Sequence, residues 1–219
     1  WRMNYAREMK ASVVDKDERK RLLVPLIAYL QGDGFVSRRY DSSRDGYHHD
    51  LASYPDRLEI ARHFAGLYLK LYGRHLRIKA LRGHYVVRTS HRLAYRELMT
   101  AGSFRSLEWK VPFRLLSNID ERKSWLRAFF DCEAYVGKNG IVVQSVNKIG
   151  LDQVRKLLGL FGIISRMYVY TRKQKTWNTN HILTICRKQF VERYMDQIGF
   201  NHIPKHHKGI LLVRPKQAF

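Results

Sequence analysis

Two carboxylates stand at matching places in this chain, and paired carboxylates are what a divalent cation needs. Asp33 closes the run Leu26-Ile27-Ala28-Tyr29-Leu30-Gln31-Gly32 and is followed by Gly34. Glu133 closes Trp125-Leu126-Arg127-Ala128-Phe129-Phe130-Asp131-Cys132 and is followed by Ala134. Aligned on their acids, the runs put Ala28 on Ala128 and Gly32 on Cys132. Positions i and i+4 share one face of a helix. Ala28 with Gly32, and Ala128 with Cys132, therefore form two flat seams. Two such helices can approach closely, because little side chain separates their backbones. Packed together, they would bring Asp33 and Glu133 side by side. Adjacent carboxylates repel unless they share a proton or a cation. A hard ion such as Mg²⁺ (or Mn²⁺) takes oxygen ligands and keeps several waters. That combination can activate water and neutralise a phosphate, which is what phosphodiester hydrolysis requires. An acid at a helix C-terminus is otherwise opposed by the helix dipole, and two matched cases argue against accident.

The paired runs resemble the LAGLIDADG motif of the homing endonucleases. Asp33 takes the acid position of the first copy and Glu133 that of the second, 100 residues on (133 − 33). The resemblance covers nearly the whole chain, and its specificity lies in two copies that agree in spacing. It implies a monomeric, two-repeat member of archaeal, intron-encoded type. The implied fold is α+β: a pseudo-two-fold duplicated αββαββα repeat with two saddle-shaped antiparallel sheets and the motif helices at the interface. The implied activity is site-specific cleavage of double-stranded DNA, at a long asymmetric target, leaving short 3′ overhangs. Asp33 and Glu133 would be catalytic acids and metal ligands, joined by the backbone carbonyls of Gly32 and Cys132. Lys110 and Lys205 match basic residues that stabilise the transition state. Gln31 and Asp131, two residues before the acids, read as structural. Where many relatives carry Gln on the second strand of the first repeat, this chain has Ser53 or Tyr54.

The elements that must position these residues follow in order along the chain. Residues 1–21 read as an N-terminal arm leading into the first motif helix, with Pro25 near the helix start. A hairpin over 35–53 and a helix from Pro55 to Tyr72, capped by Gly73, come next. A second hairpin covers Leu76–Leu81 and Tyr85–Thr89, and a short helix covers 91–101. The second half repeats the order: hairpin at 134–145, helix at 150–162, strands Ile163–Thr171 and Thr179–Ile185, and helices Gln189–Ile198 and Pro204–Leu212. The repeats are taken as 22–115 and 116–219, forming one compact unit.

Composition limits the partner. The 219 residues include 41 Lys plus Arg against 19 Asp plus Glu, a net charge of +22, with 45 % hydrophobic and 12 % aromatic residues. A folded chain so charged calls for a polyanion. No run reaches the ~18 apolar residues of a membrane span, and no amphipathic helix for an acidic membrane surface stands out. No signal peptide is visible, and a cytoplasmic location in a prokaryotic or archaeal cell is expected. The two cysteines, Cys132 and Cys186, lack zinc-ligand spacing and read as small buried residues.

On antiparallel strands, Arg and Lys at i and i+2 can reach successive base edges or phosphates in a major groove. Candidates in the first half are Arg38, Tyr40, Arg44, His48, Arg77, Lys79, Arg82 and Arg88. The second half offers Lys138, Gln144, Arg166, Tyr168, Arg172, Lys173, Lys175 and Trp177. His48-His49 and His202…His206-His207 read as exposed polar residues. A second function class stays open beside the nuclease, an RNA maturase or a catalytically silent nucleic-acid-binding module of the same fold. A basic ribosome-associated structural protein is a third. An intron origin is favoured over an intein, since no terminal Cys or Asn pair of a protein-splicing element is present.

Overall fold

A computed structural model describes residues 15–43, 45–171 and 178–214. Arg44, Arg172, Lys173, Lys175 and Trp177 therefore lie outside the described residues. The first half runs α1 (Lys16–Gln31), β1 (Gly34–Asp41), β2 (Gly46–Ser53), α2 (Leu58–Tyr72), β3 (Ile78–Leu81), β4 (His84–Ser90) and α3 (Arg92–Ala101). The second half runs α4 (Ile119–Glu133), β5 (Ala134–Gly137), β6 (Gly140–Ser145), α5 (Lys148–Gly159), β7 (Arg166–Tyr170), β8 (Asn180–Ile185) and α6 (Lys188–Gln197), and α7 (Ile203–Val213) is appended. Each half builds a four-stranded antiparallel sheet of one topology, β1-β2-β4-β3 and β5-β6-β8-β7. The duplicated α+β fold is thus present.

Helix α1 begins nine residues before Pro25, not near it. Asp17 and Glu18 sit in its first turn, where the dipole favours acids. Pro25 removes one N–H from the helix interior, but its ring is buried in the core and the helix continues past it. Helix α4 starts at a capping box: Asn118 Oδ1 accepts the Glu121 N–H at 2.9 Å, and Glu121 Oε2 accepts the Asn118 N–H at 3.1 Å. The two motif helices run side by side in the same direction. Lys20 pairs with Glu121 at 2.8 Å near their starts, and Gly32 meets Cys132 at their ends. A Cβ placed on Gly32 would lie 2.6 Å from Cys132 Cβ, so only glycine allows this approach. Ala28 and Ala128 are buried in the same seam.

Around this seam one apolar core spans both halves. Helix α2 contributes Ile60, Phe64, Leu67, Tyr68 and Leu71 at helical spacing and ends at Gly73, whose φ of 66° is the left-handed cap. The connection between the halves is anchored to the second: Trp109 O accepts from Asn147 Nδ2 at 2.6 Å, and Val111 N donates to Gln153 Oε1 at 2.8 Å. The hairpins differ in reach. Strands β1 and β2 pair over eight positions, β5 and β6 over four. Cys186 corrects the expectation of two buried cysteines, since it follows the last inward residue of β8, Ile185, and is exposed.

Candidate functional site

Asp33 leaves α1 and Glu133 ends α4, so the seam delivers both acids to one point. Asp33 O accepts the Tyr54 N–H at 2.7 Å, tying the acid to the end of β2. A Cβ on Gly32 would also lie 3.5 Å from Glu133 Cγ. Burial raises the Glu133 carboxyl to about 7, and the neighbouring charge of Asp33 adds to the shift. Burial likewise raises Asp33, and the Lys205 ammonium opposes it. Both acids, half-buried, are therefore partly stripped of water and short of positive charge.

Lys205, on α7, supplies part of that charge. Its Nζ donates to the carbonyls of Asp131 at 2.5 Å and Cys132 at 3.0 Å, at the negative end of α4. Lys110 is placed differently: its side chain is exposed, and only its carbonyl enters the site, accepting from Gln31 Nε2 at 2.9 Å. The two lysines are not equivalent partners of the acids.

Gln31 and Asp131, expected to be structural or peripheral, are both hydrogen-bonded within the fold. Gln31 donates to Ser103 O at 3.0 Å and accepts from Trp125 Nε1 at 3.1 Å. Asp131 Oδ1 accepts the N–H groups of Asn201 at 2.9 Å and His202 at 3.0 Å, and its Oδ2 lies 3.3 Å from the Tyr29 hydroxyl. Burial raises Asp131 to about 6. His202 overturns its reading from the sequence as an exposed polar residue. It is buried, not exposed, and its Nε2 lies 3.2 Å from both oxygens of Asp56. Two residues 146 apart gave no signal before folding.

Among the described residues no three His, Cys, Asp or Glu side chains converge to hold an ion. Two carboxylates are nevertheless the donor set that Mg²⁺ or Mn²⁺ uses when water and phosphate complete its shell. Ser53, opposite Gly34 in the sheet, keeps a buried hydroxyl without a protein partner among the described residues. The Cys132 carbonyl already accepts Lys205 Nζ, and could serve an ion only through its second lone pair. The residues present fit the ion through Asp33 and Glu133. Beside Glu133 opens a cavity of ≈ 310 Å³, lined by Gln31, Ser106, Gln144, Ser145 and Asn180 among others.

Strand pairing sorts the basic candidates by face. Val36 pairs with Leu51 on the core side, so Arg38 and Tyr40, two and four residues on, share that parity. Arg38 lies over the Tyr47 ring at 3.6 Å, and the Tyr40 hydroxyl donates to Asp45 at 2.6 Å. The outward face instead holds Arg39, His48, Lys79 and Arg88, with Arg77 in phase just ahead of β3. Arg39 was not among the candidates, although period-two spacing fits either parity. His48 pairs with Asp41 at 2.8 Å and Arg88 with Asp50 at 3.0 Å. In the second sheet Gln144, Arg166 and Tyr168 share the outward face with exposed Tyr135 and Tyr170. Arg82 and Lys138 are exposed in hairpin turns. Among the described residues no helix is long and apolar enough to cross a membrane.

Known proteins share this fold. Residues 120–199 match the family model of a LAGLIDADG-like domain. The homing endonuclease I-DmoI, in a crystal structure with DNA and Mn, superposes with a TM-score of 0.66 at 14 % identity, over 82 % of this chain and 97 % of that one. Full-length DUF199/WhiA from Thermatoga maritima gives 0.54 at 11 % identity, over 96 % of this chain and 66 % of that one. The duplicated fold is therefore that of I-DmoI. By sequence, a replication factor C small subunit of Thermococcus kodakarensis is 35 % identical over 92 residues, covering 42 % of this chain and 10 % of its own length. A glutamine–fructose-6-phosphate aminotransferase of Methanocaldococcus jannaschii is 28 % identical over 198 residues, 85 % of this chain and 17 % of its own length. The chain thus spans only a small part of the curated relatives that it matches.

Proposed function

We propose that this chain is a LAGLIDADG homing endonuclease that cuts double-stranded DNA at a long asymmetric site and leaves short 3′ overhangs. The observation that carries the reading is the coupling of Asp33 to Glu133: two desolvated acids, each raised by burial, share the end of one helix seam. Asp33 and Glu133 would hold Mg²⁺ or Mn²⁺, which when bound supplies charge neutralisation and an activated water. The chain's own residues do the rest. Gly32 lets the acids approach, Asp131 and Gln31 lock the helix ends, and Lys205 adds positive charge beside both acids. The outward faces of the two sheets, with Arg39, Arg77, Lys79, Arg88, Arg166 and Tyr168, would lie along the major groove. One chain carries both acids, so a monomer suffices. Asp33→Asn and Glu133→Gln should each lower double-strand cleavage by at least ~10²-fold, more than loss of an outer partner costs. Activity that survives both changes would overturn the assignment.

A second reading keeps the fold without the chemistry, as an RNA maturase or a silent binding module. It is favoured by the match to DUF199/WhiA, a second protein with a LAGLIDADG domain, over 96 % of this chain. Comparing duplex cleavage with binding of structured RNA, with and without Mg²⁺, separates the two. The curated relatives also bear on origin. Two proteins of unrelated name share a segment that is 10 % and 17 % of their lengths. This supports a unit carried inside a host reading frame.

A further inference from the structure

Asp56 and His202 meet across the two repeats beside Asp33, and nothing above uses them. His202 is 3 % exposed on the connection between α6 and α7. It is held from three sides. Its N–H donates to Asp131 Oδ1 at 3.0 Å, its Nδ1 accepts the Lys205 N–H at 3.3 Å, and its Nε2 faces both Asp56 oxygens at 3.2 Å. With Nδ1 used as an acceptor, the ring proton belongs on Nε2, where it is donated to Asp56. The Asp56 side chain remains 54 % exposed, and its charge acts on Asp33.

Among the described residues Glu133 has no such acid–histidine pair beside it. Gly34 pairs with Ser53 and Ala134 with Val143, so Asp56, three residues further, corresponds to Val146. Val146 lines the cavity at Glu133 with the amides of Gln31, Gln144 and Asn180 and the hydroxyls of Ser106 and Ser145. The α7 helix, which brings Lys205, has no counterpart directly after α3.

We propose that Asp56 and His202 are a positioning pair for the Asp33 half of the centre, so that the two DNA strands are cut by chemically different halves. His202 aims the Asp56 carboxylate, and Asp56 orients the attacking water on that side. In the hydrolysis the water oxygen forms the new bond to phosphorus, its proton goes to surrounding water, and the sugar oxygen leaves and is protonated. The proposal rests on the nuclease reading.

The test selects a cut site from a plasmid library carrying a randomised insert, using the wild-type chain with Mn²⁺, and then follows each labelled strand. Asp56→Asn should slow one strand by ~10–100-fold and the other little, so that nicked circles accumulate. His202→Gln, whose amide can still donate, should keep part of the rate that His202→Ala loses. Duplex affinity by anisotropy and the melting temperature of Asp56→Asn should match wild type, and Mn²⁺ binding followed by electron paramagnetic resonance should weaken at one site. Equal slowing of both strands, or no slowing, overturns the pair's role and leaves the nuclease reading intact. A wild-type chain that binds duplex but cuts no library member overturns both.

Discussion

Glu133 and Asp33, half-buried side by side, cannot both ionise freely. The folded-state pKa of Glu133 rises from 4.5 to about 7, so between those values the folded protein holds a proton that the unfolded chain has released. Stability from this group is full below about 4.5 and is lost as pH rises through about 7. Glu133→Gln cannot ionise. In metal-free thermal melts it should match wild type near pH 4.5 and melt higher at pH 8, and Mg²⁺ should raise only the wild type at pH 8. A pH-independent difference would show that Glu133 titrates normally. Both acids were legible in the sequence because their chemistry is local: an apolar run, small residues four apart, then a carboxylate. Asp56 and His202 were not, since their pairing exists only once α7 folds back onto the first repeat.

At the scale of the element, the seam depends on Gly32. A Cβ there would meet Cys132 Cβ at 2.6 Å, so the helices must part. Gly32→Ala should destabilise the protein by ~1–3 kcal/mol, the usual range for overpacking, and should impair cleavage further by separating the acids. Denaturant melts measure the first effect. Adding Cys132→Gly should recover much of the loss, and a double-mutant cycle that is purely additive would show that the two residues do not meet. Helices were read well where the apolar stripe was clear, as in α2. Strand boundaries were also close. What period two could not supply was parity: Arg38 and Arg39 are both exposed arginines on one strand, and only pairing of Val36 with Leu51 decides which one faces outward. Pro25 misled for a related reason, since proline's preference for a helix start yields when its ring is buried in a core.

For the whole molecule, the net charge of +22 dominates. Binding through the sheets releases counterions from the phosphates, so affinity for duplex should fall roughly 10³–10⁵-fold between ~50 and ~200 mM salt if six to ten phosphates are touched. Fluorescence anisotropy at several salt concentrations checks this, and a flat dependence would rule out groove docking. The duplicated order was legible because both halves carry the same hydrophobic pattern, and the unequal first hairpins were legible too, read as 35–53 against 134–145 and found to pair over eight positions against four. That inequality has a consequence for the target. Strands of eight residues extend about 27 Å and strands of four about 14 Å, at ~3.4 Å per residue. The footprint should therefore be lopsided about the break, with base changes penalised further out on the flank gripped by the longer arm.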